Sequence, residues 1–120
     1  MSTAPETSVL IRTFNEETHL PKLLDGLATQ TYRDFEIVFV DSGSYDRTRD
    51  IAARHTDRIL QIDSSDFTFG YSLNVGTDAC LGQFVAIVSA HTKPLDDNWL
   101  RTLIAPLRGE NTAMVYGRQL

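Results

Sequence analysis

Three polar clusters carry the side chains with useful chemistry, and each follows an apolar run. They are Thr13 to Glu16 after Val9-Leu10-Ile11, Asp41 to Ser44 after Phe35 to Val40, and Ser89 to Lys93 after Phe84 to Val88. Their hydroxyls, carboxamide and carboxylates can pair with the polar edges of a base or a ribose. That set suits a nucleoside better than a bare phosphate. His91 adds an imidazole, a ligand for Mn2+, whereas Mg2+ favours an all-oxygen shell. Each cluster also has a plainer use. Asp41-Ser42-Gly43-Ser44 can satisfy its own turn, and Asn15, Glu16 and Glu17 can support the start of a helix. Asp96 and Asp97 suit a cap ahead of Trp99.

These clusters need a frame that brings them to one edge. Val9 to Ile11, Phe35 to Val40, Ile59 to Ile62 and Phe84 to Val88 read as short buried strands. Between them, Leu20, Leu23, Leu24 and Leu27, then Ile51, Ala52 and Arg54, then Leu73, Val75 and Ala79 fit helices. Pro21 suits the first turn of the first helix and Gly82 the close of the third. Trp99, Leu100, Leu103, Ile104 and Leu107 add a fourth helix, and Ala113 to Tyr116 a last strand. The resulting βαβαβαβαβ order predicts an α/β fold, a mostly parallel sheet flanked by helices. Its ligand-binding loops lie at the carboxyl ends of the strands. Gly43 and Gly70 suit turns or close approach, with Gly70 bordering the pocket, and Gly76 suits packing.

The composition narrows the partners. A chain of 120 residues, 42% hydrophobic and 22% charged, makes one domain with a modest core. A net charge of −5 argues against a nucleic-acid partner, which needs a basic face. The single cysteine, Cys80, reads as a buried reduced thiol, consistent with a cytoplasmic setting. No run approaches the roughly 20 apolar residues of a membrane span, which leaves peripheral membrane association. Neither GxGxxG nor GxxxxGK[ST] occurs, so dehydrogenase and P-loop readings fall.

Ser8-Val9-Leu10-Ile11-Arg12-Thr13-Phe14-Asn15-Glu16-Glu17, Gln30-Thr31-Tyr32 and Val40-Asp41-Ser42-Gly43-Ser44-Tyr45-Asp46-Arg47-Thr48 together resemble family-2 glycosyltransferases of the GT-A fold. Phe69-Gly70, Leu73-Asn74-Val75-Gly76, Ala79 and Gly82 continue the resemblance. Ser89-Ala90-His91 with Pro94, Trp99-Leu100 and Tyr116-Gly117-Arg118-Gln119 is similar to a bacterial, rhamnosyltransferase-like branch.

The resemblance implies a flexible N-terminus over 1–7 and the nucleotide-sugar-binding half of a GT-A domain over 8–120. It implies binding of the nucleotide sugar by Thr13, Phe14, Asn15, Glu16, Asp41, Ser42, Gly70, Ser89, Ala90 and His91. Phe14 stands where many members have Tyr, and Ser42 where many have a second acid. The family's Asp-x-Asp motif, whose carboxylates hold a divalent metal on the donor diphosphate, is here Ser89-Ala90-His91. That leaves His91 as the metal candidate, for Mn2+ or Mg2+, with Arg12, Lys93 and Arg118 as cations that could offset the diphosphate.

The implied reaction transfers a sugar from a nucleotide-diphosphate donor to a hydroxyl of a saccharide or lipid-linked acceptor, with inversion, as in polysaccharide biosynthesis. A general base must deprotonate the acceptor. In the family that base is an Asp of the acceptor-binding region, expected beyond residue 120, so the isolated chain is expected to bind donor and turn over poorly. The other class compatible with Ser89-Ala90-His91 is a noncatalytic nucleotide-binding or scaffold domain. The expected location is cytoplasmic, including the inner face of the membrane.

Overall fold

The structure, a computed structural model, describes residues 4–66 and 68–109. The main elements run β1 (Thr7–Thr13), α1 (Leu20–Ala28), β2 (Phe35–Asp41), α2 (Thr48–Ala53), β3 (Ile59–Gln61), α3 (Phe69–Ala79), β4 (Phe84–Ser89) and α4 (Trp99–Ile104). This matches the expected alternation. The strand expected over Ala113 to Tyr116 lies outside the described residues, as does Arg118.

The strands make one parallel sheet in the order β3-β2-β1-β4. β1 is central, with Thr13 opposite Asp41 of β2 and Arg12 opposite Ser89 of β4. Successive strand side chains point to opposite faces. Val9, Ile11 and Phe39 therefore pack with the leucines of α1 and with Leu100 and Ile104 of α4. Leu10, Val38 and Val40 pack on the other face against Leu73, Val75 and Ala79 of α3. Apolar side chains on both faces explain why these strands read as continuous apolar runs.

β1 is longer than its apolar segment. It begins at Thr7, inside the stretch expected to be flexible, and Thr7, Ser8 and Thr13 are buried despite their hydroxyls. Each hydroxyl has a partner: Tyr32 Oη for Thr7, Glu36 for Ser8 and Asp41 for Thr13. A buried polar group with a partner avoids the desolvation cost of an unpaired one.

Two expectations change at the helix ends. Gly82 does not close α3, which stops at Ala79 with Cys80 as its C-cap. Gly82 instead runs against β1. Its N–H donates to Ser8 Oγ at 2.8 Å, while Ser8 and the Leu81 N–H both donate to Glu36 Oε2, at 2.5 and 2.7 Å. Cys80 is half-buried rather than buried, and loss of solvent pushes its thiol pKa up.

α4 is not capped by Asp96 or Asp97 directly. Its Leu100 N–H donates to Gln30 Oε1 at 2.9 Å, and Gln30 Nε2 donates to Asp96 O at 2.8 Å. Asp96 Oδ1 instead accepts from the Asn98 N–H at 3.0 Å, in the turn ahead of the helix. Gln30 thus ties the end of the α1 segment to the chain leaving β4.

Tyr32 carries a pH prediction. Its hydroxyl lies 2.8 Å from Thr7 Oγ1 and 2.7 Å from Glu6 Oε1, and burial, with Glu6 adding to it, pushes its pKa up to about 12 from 10.0. Both folded and unfolded chains keep this proton below pH 10. Above it, the unfolded chain ionises first, so stability falls as pH rises from 10 toward about 12. In an absorbance titration one of the four tyrosines should ionise late, together with unfolding. Tyr32→Phe should remove that late step, and its persistence would refute the assignment.

Candidate functional site

β1 sits where the strand order reverses, with β2 and β3 on one side and β4 on the other. Open parallel sheets bind ligands in the crevice beyond the carboxyl ends of the strands at such a switch point. The structure brings the three polar clusters to this end.

Asp41 is the centre of the first two loops. It is 1% exposed, and each of its oxygens accepts two hydrogen bonds. Oδ1 takes Thr13 Oγ1 at 2.8 Å and Ser44 Oγ at 2.6 Å; Oδ2 takes the N–H groups of Gly43 at 3.2 Å and Ser44 at 2.9 Å. The turn needs Gly43 because its φ is +95°, a region that side chains disfavour. Arg49 Nε stands 4.0 Å from Oδ2 and is half exposed.

The two loops are joined like a zipper. The consecutive N–H groups of Asn15, Glu16 and Glu17 donate to Ser44 Oγ (2.8 Å), Thr48 Oγ1 (2.7 Å) and Asp46 Oδ2 (3.2 Å). Asn15, with φ +52°, returns the contact by accepting the Tyr45 N–H at 3.0 Å. Asn tolerates this left-handed geometry better than most residues. Desolvation pushes the Asp46 carboxyl upward, but hydrogen bonds from Thr48 and the Glu17 N–H outweigh it and hold its pKa below the ordinary value. The capping expected of Glu16 and Glu17 does not occur through their side chains; α1 starts after His19 with no side-chain cap.

Thr13, Asn15, Asp41 and Ser42 therefore build the loops. Ser42 Oγ donates to Thr13 O at 3.3 Å. What the loops present outward is aromatic: Phe14 is 44% exposed and Tyr45 84%, edge to face with ring centres 6.1 Å apart. Sequence reasoning gave Tyr45 no role, nor Asp46, Thr48 or Arg49, and it read Ser44 only within its own cluster, not as a partner of the β1 loop. Apart from Arg49, all lay inside the stretches carrying the family resemblance, which was the available signal.

The third cluster divides. Ala90 is packed in the core, whereas Ser89 is exposed and its Oγ accepts the His91 N–H at 3.3 Å. His91 Nε2 reaches across to Glu16 Oε1 at 3.1 Å, and its ring centre lies 4.8 Å from that of His19. Pro94 lies against Gly26 of α1 so closely that a side chain there would collide with it. That contact holds the loop over α1. Gly70 sits exposed in the first turn of α3, at this same end of the sheet, with nothing packed against it. Lys93 is exposed and Arg12 half-buried.

A separate cleft of about 420 Å³ lies near the opposite end of β2, lined by Leu24, Leu27, Arg33, Glu36 and Arg58 among others. Arg33 there donates to Ala28 O at 2.8 Å, and Arg58 Nε lies 3.6 Å from Glu36, so these three charges are already engaged.

A family model described as Glycosyl transferase family 2 matches residues 8–120. The chain belongs to that family. It is 33% identical over 119 residues to the PGL/p-HBAD biosynthesis glycosyltransferase of Mycobacterium bovis, covering 95% of this chain and 46% of the relative. It thus spans about half of that protein's length. Among solved structures, the mannosyltransferase PcManGT from Pyrobaculum calidifontis, in complex with GDP-Man and Mn2+, superposes with a TM-score of 0.75 at 25% identity, over 91% of this chain and 34% of that one. TarS 1-349 of S. aureus in complex with UDP-GlcNAc gives 0.71 at 27% identity, over 83% and 30%. The sheet is that of GT-A glycosyltransferases.

PcManGT thus holds Mn2+ together with its nucleotide sugar. Among the described residues of this member, no group of three His, Cys, Asp or Glu side chains is arranged to hold one. Glu16 and His91 nevertheless form a carboxylate–imidazole pair, and Glu16 Oε2 is buried with no hydrogen-bond partner. No described helix is long and apolar enough to cross a membrane.

Proposed function

We propose that this chain is the donor-binding part of an enzyme that moves a sugar from a nucleotide diphosphate to an acceptor hydroxyl with inversion. The acceptor is a saccharide or a lipid-linked acceptor. The observation that carries this reading is the exposed corner of Phe14 and Tyr45 at the ligand-binding end of a family-2 sheet. Aromatic faces on locked loops suit a planar base. The loops' own N–H groups are already engaged by Ser44, Thr48 and Asp46, so the diphosphate would need side-chain cations or a metal. Arg49, Arg12 and Lys93 are the cations proposed for it. Glu16 and His91 would hold a divalent ion, whose chemistry is to neutralise the charge on the departing diphosphate.

No described acid is assigned as the general base. Asp41 and Asp46 hold the loops, and Asp96 the turn before α4. The other reading, a noncatalytic nucleotide-binding domain, takes its support from Ser89-Ala90-His91 in place of the two acids.

Titration with UDP, GDP and dTDP, with and without Mn2+, tests the donor-domain reading. Saturable binding of at least one is expected, and no binding across the set would refute it. Tyr45→Ala should weaken that binding about tenfold, given about 1–3 kcal/mol per stacked base. Tyr45→Phe should retain it. Equal affinity in Tyr45→Ala and the parent would remove Tyr45 from the site. Sugar transfer by the longer enzyme would separate a transferase from a noncatalytic binder.

A further inference from the structure

We infer that Glu16 supplies, from the β1 loop, the metal-binding carboxylate that the family's motif places after β4, and that Glu16 and His91 together take a transition-metal ion with the nucleotide diphosphate. This rests on the donor-domain reading above. Three observations carry it.

The first is position. Glu16 follows β1 and His91 follows β4, so their contact at 3.1 Å closes over the switch point where the ligand crevice lies. The β4 loop has no acid of its own there: Ser89 hydrogen-bonds the His91 N–H, and Ala90 belongs to the core.

The second is the state of Glu16. Its side chain is 12% exposed, Oε1 faces His91 Nε2, and Oε2 is buried without a partner. An unpartnered buried polar atom keeps the full cost of leaving water, so such an atom in a native site calls for a ligand, ion or water. A surface glutamate placed only for solubility would carry no such cost.

The third is donor chemistry. Ligands at right angles in an octahedral shell, each bound at about 2.1 Å, lie about 3 Å apart, close to the 3.1 Å between Glu16 Oε1 and His91 Nε2. One carboxylate with one imidazole suits Mn2+ or Co2+, whereas Mg2+ prefers oxygen alone. The His19 ring lies beside that of His91, centres 4.8 Å apart. With no third ligand arranged among the described residues, diphosphate oxygens and water complete the shell. The ion therefore binds with the nucleotide and weakly before it.

The experiment follows the Mn2+ electron paramagnetic resonance signal and nucleotide calorimetry on the same chain, using whichever nucleoside diphosphate binds. Mn2+ should raise nucleotide affinity about tenfold, equivalent to about 1.4 kcal/mol, and Mg2+ much less. Glu16→Gln and His91→Ala should each abolish the Mn2+ gain, with circular dichroism reporting the fold. In the Glu16→Gln background, His91→Asp returns a carboxylate to the β4 loop and should restore a gain, now with Mg2+ as well. Nucleotide binding indifferent to Mn2+, or a gain that survives Glu16→Gln, overturns the inference alone. Absence of all nucleotide binding overturns the donor-domain reading and this inference with it.

Discussion

Asp41→Ala is expected to lower folding stability by about 3 kcal/mol or more and to abolish nucleotide binding. The size follows from what the carboxylate holds. Its removal leaves the Thr13 and Ser44 hydroxyls and the Gly43 and Ser44 N–H groups without their acceptor, and most of them are buried. Each buried group left unpaired costs about 1–3 kcal/mol. Water entering the opened turn recovers part of this, so the total stays well below the sum. Asp41→Asn is the informative companion. A carboxylate only accepts, whereas a carboxamide turns one atom into a donor, which would face either two N–H groups or two hydroxyls. Asn should therefore be destabilised too, though less than Ala. Urea unfolding reads both, and a loss under about 1 kcal/mol for Asp41→Ala would show that the loops are held by other contacts.

Gly82→Ala should cost about 3 kcal/mol, near the top of the usual range for overpacking. An added Cβ would fall 2.6 Å from both Ser8 N and Thr7 C. These are main-chain atoms of the central strand, bonded to β2 on one side and β4 on the other, so they cannot retreat. Gly82 must move instead, breaking its bond to Ser8 Oγ and disturbing the Glu36 cluster. Gly70→Ala is the control: nothing lies within 4 Å of its Cβ position, and alanine favours a helix by up to about 1 kcal/mol. Denaturation midpoints should move in opposite directions for the two variants. Equal, small shifts would refute the close-packing account of Gly82.

The layout of the fold was legible because apolar periodicity is a local signal. The alternation of strand and helix, the parallel sheet and the loop clusters at its carboxyl end all follow from it. The ends of elements were less legible. Thr7 and Ser8 extend β1 although they are polar, because Tyr32 and Glu36 meet their hydroxyls. Gln30 caps α4 from 70 residues away, and nothing near Trp99 announces that. At the site, the sequence located Thr13, Asn15 and Asp41 correctly at the strand ends. It did not reveal that Thr13 bonds to Asp41 and Asn15 to Ser44 and Tyr45 across the loops, since a hydrogen-bonding residue reads alike whether its partner is a ligand or a neighbouring turn. Tyr45 was hidden for the opposite reason: its significance is its exposure beside Phe14, a property of shape.

The zipper between the β1 and β2 loops separates two kinds of position. Its bonds run from main-chain N–H groups to short polar side chains, and none uses the rings of Phe14 or Tyr45. Those two rings can consequently change identity without unfastening the loops that carry them. Paired libraries at residues 14 and 45 should therefore yield folded proteins in high proportion while their base preferences diverge. Libraries at residues 13, 15 and 41 should yield few. A lineage could in this way acquire a new donor through substitutions that leave its scaffold intact.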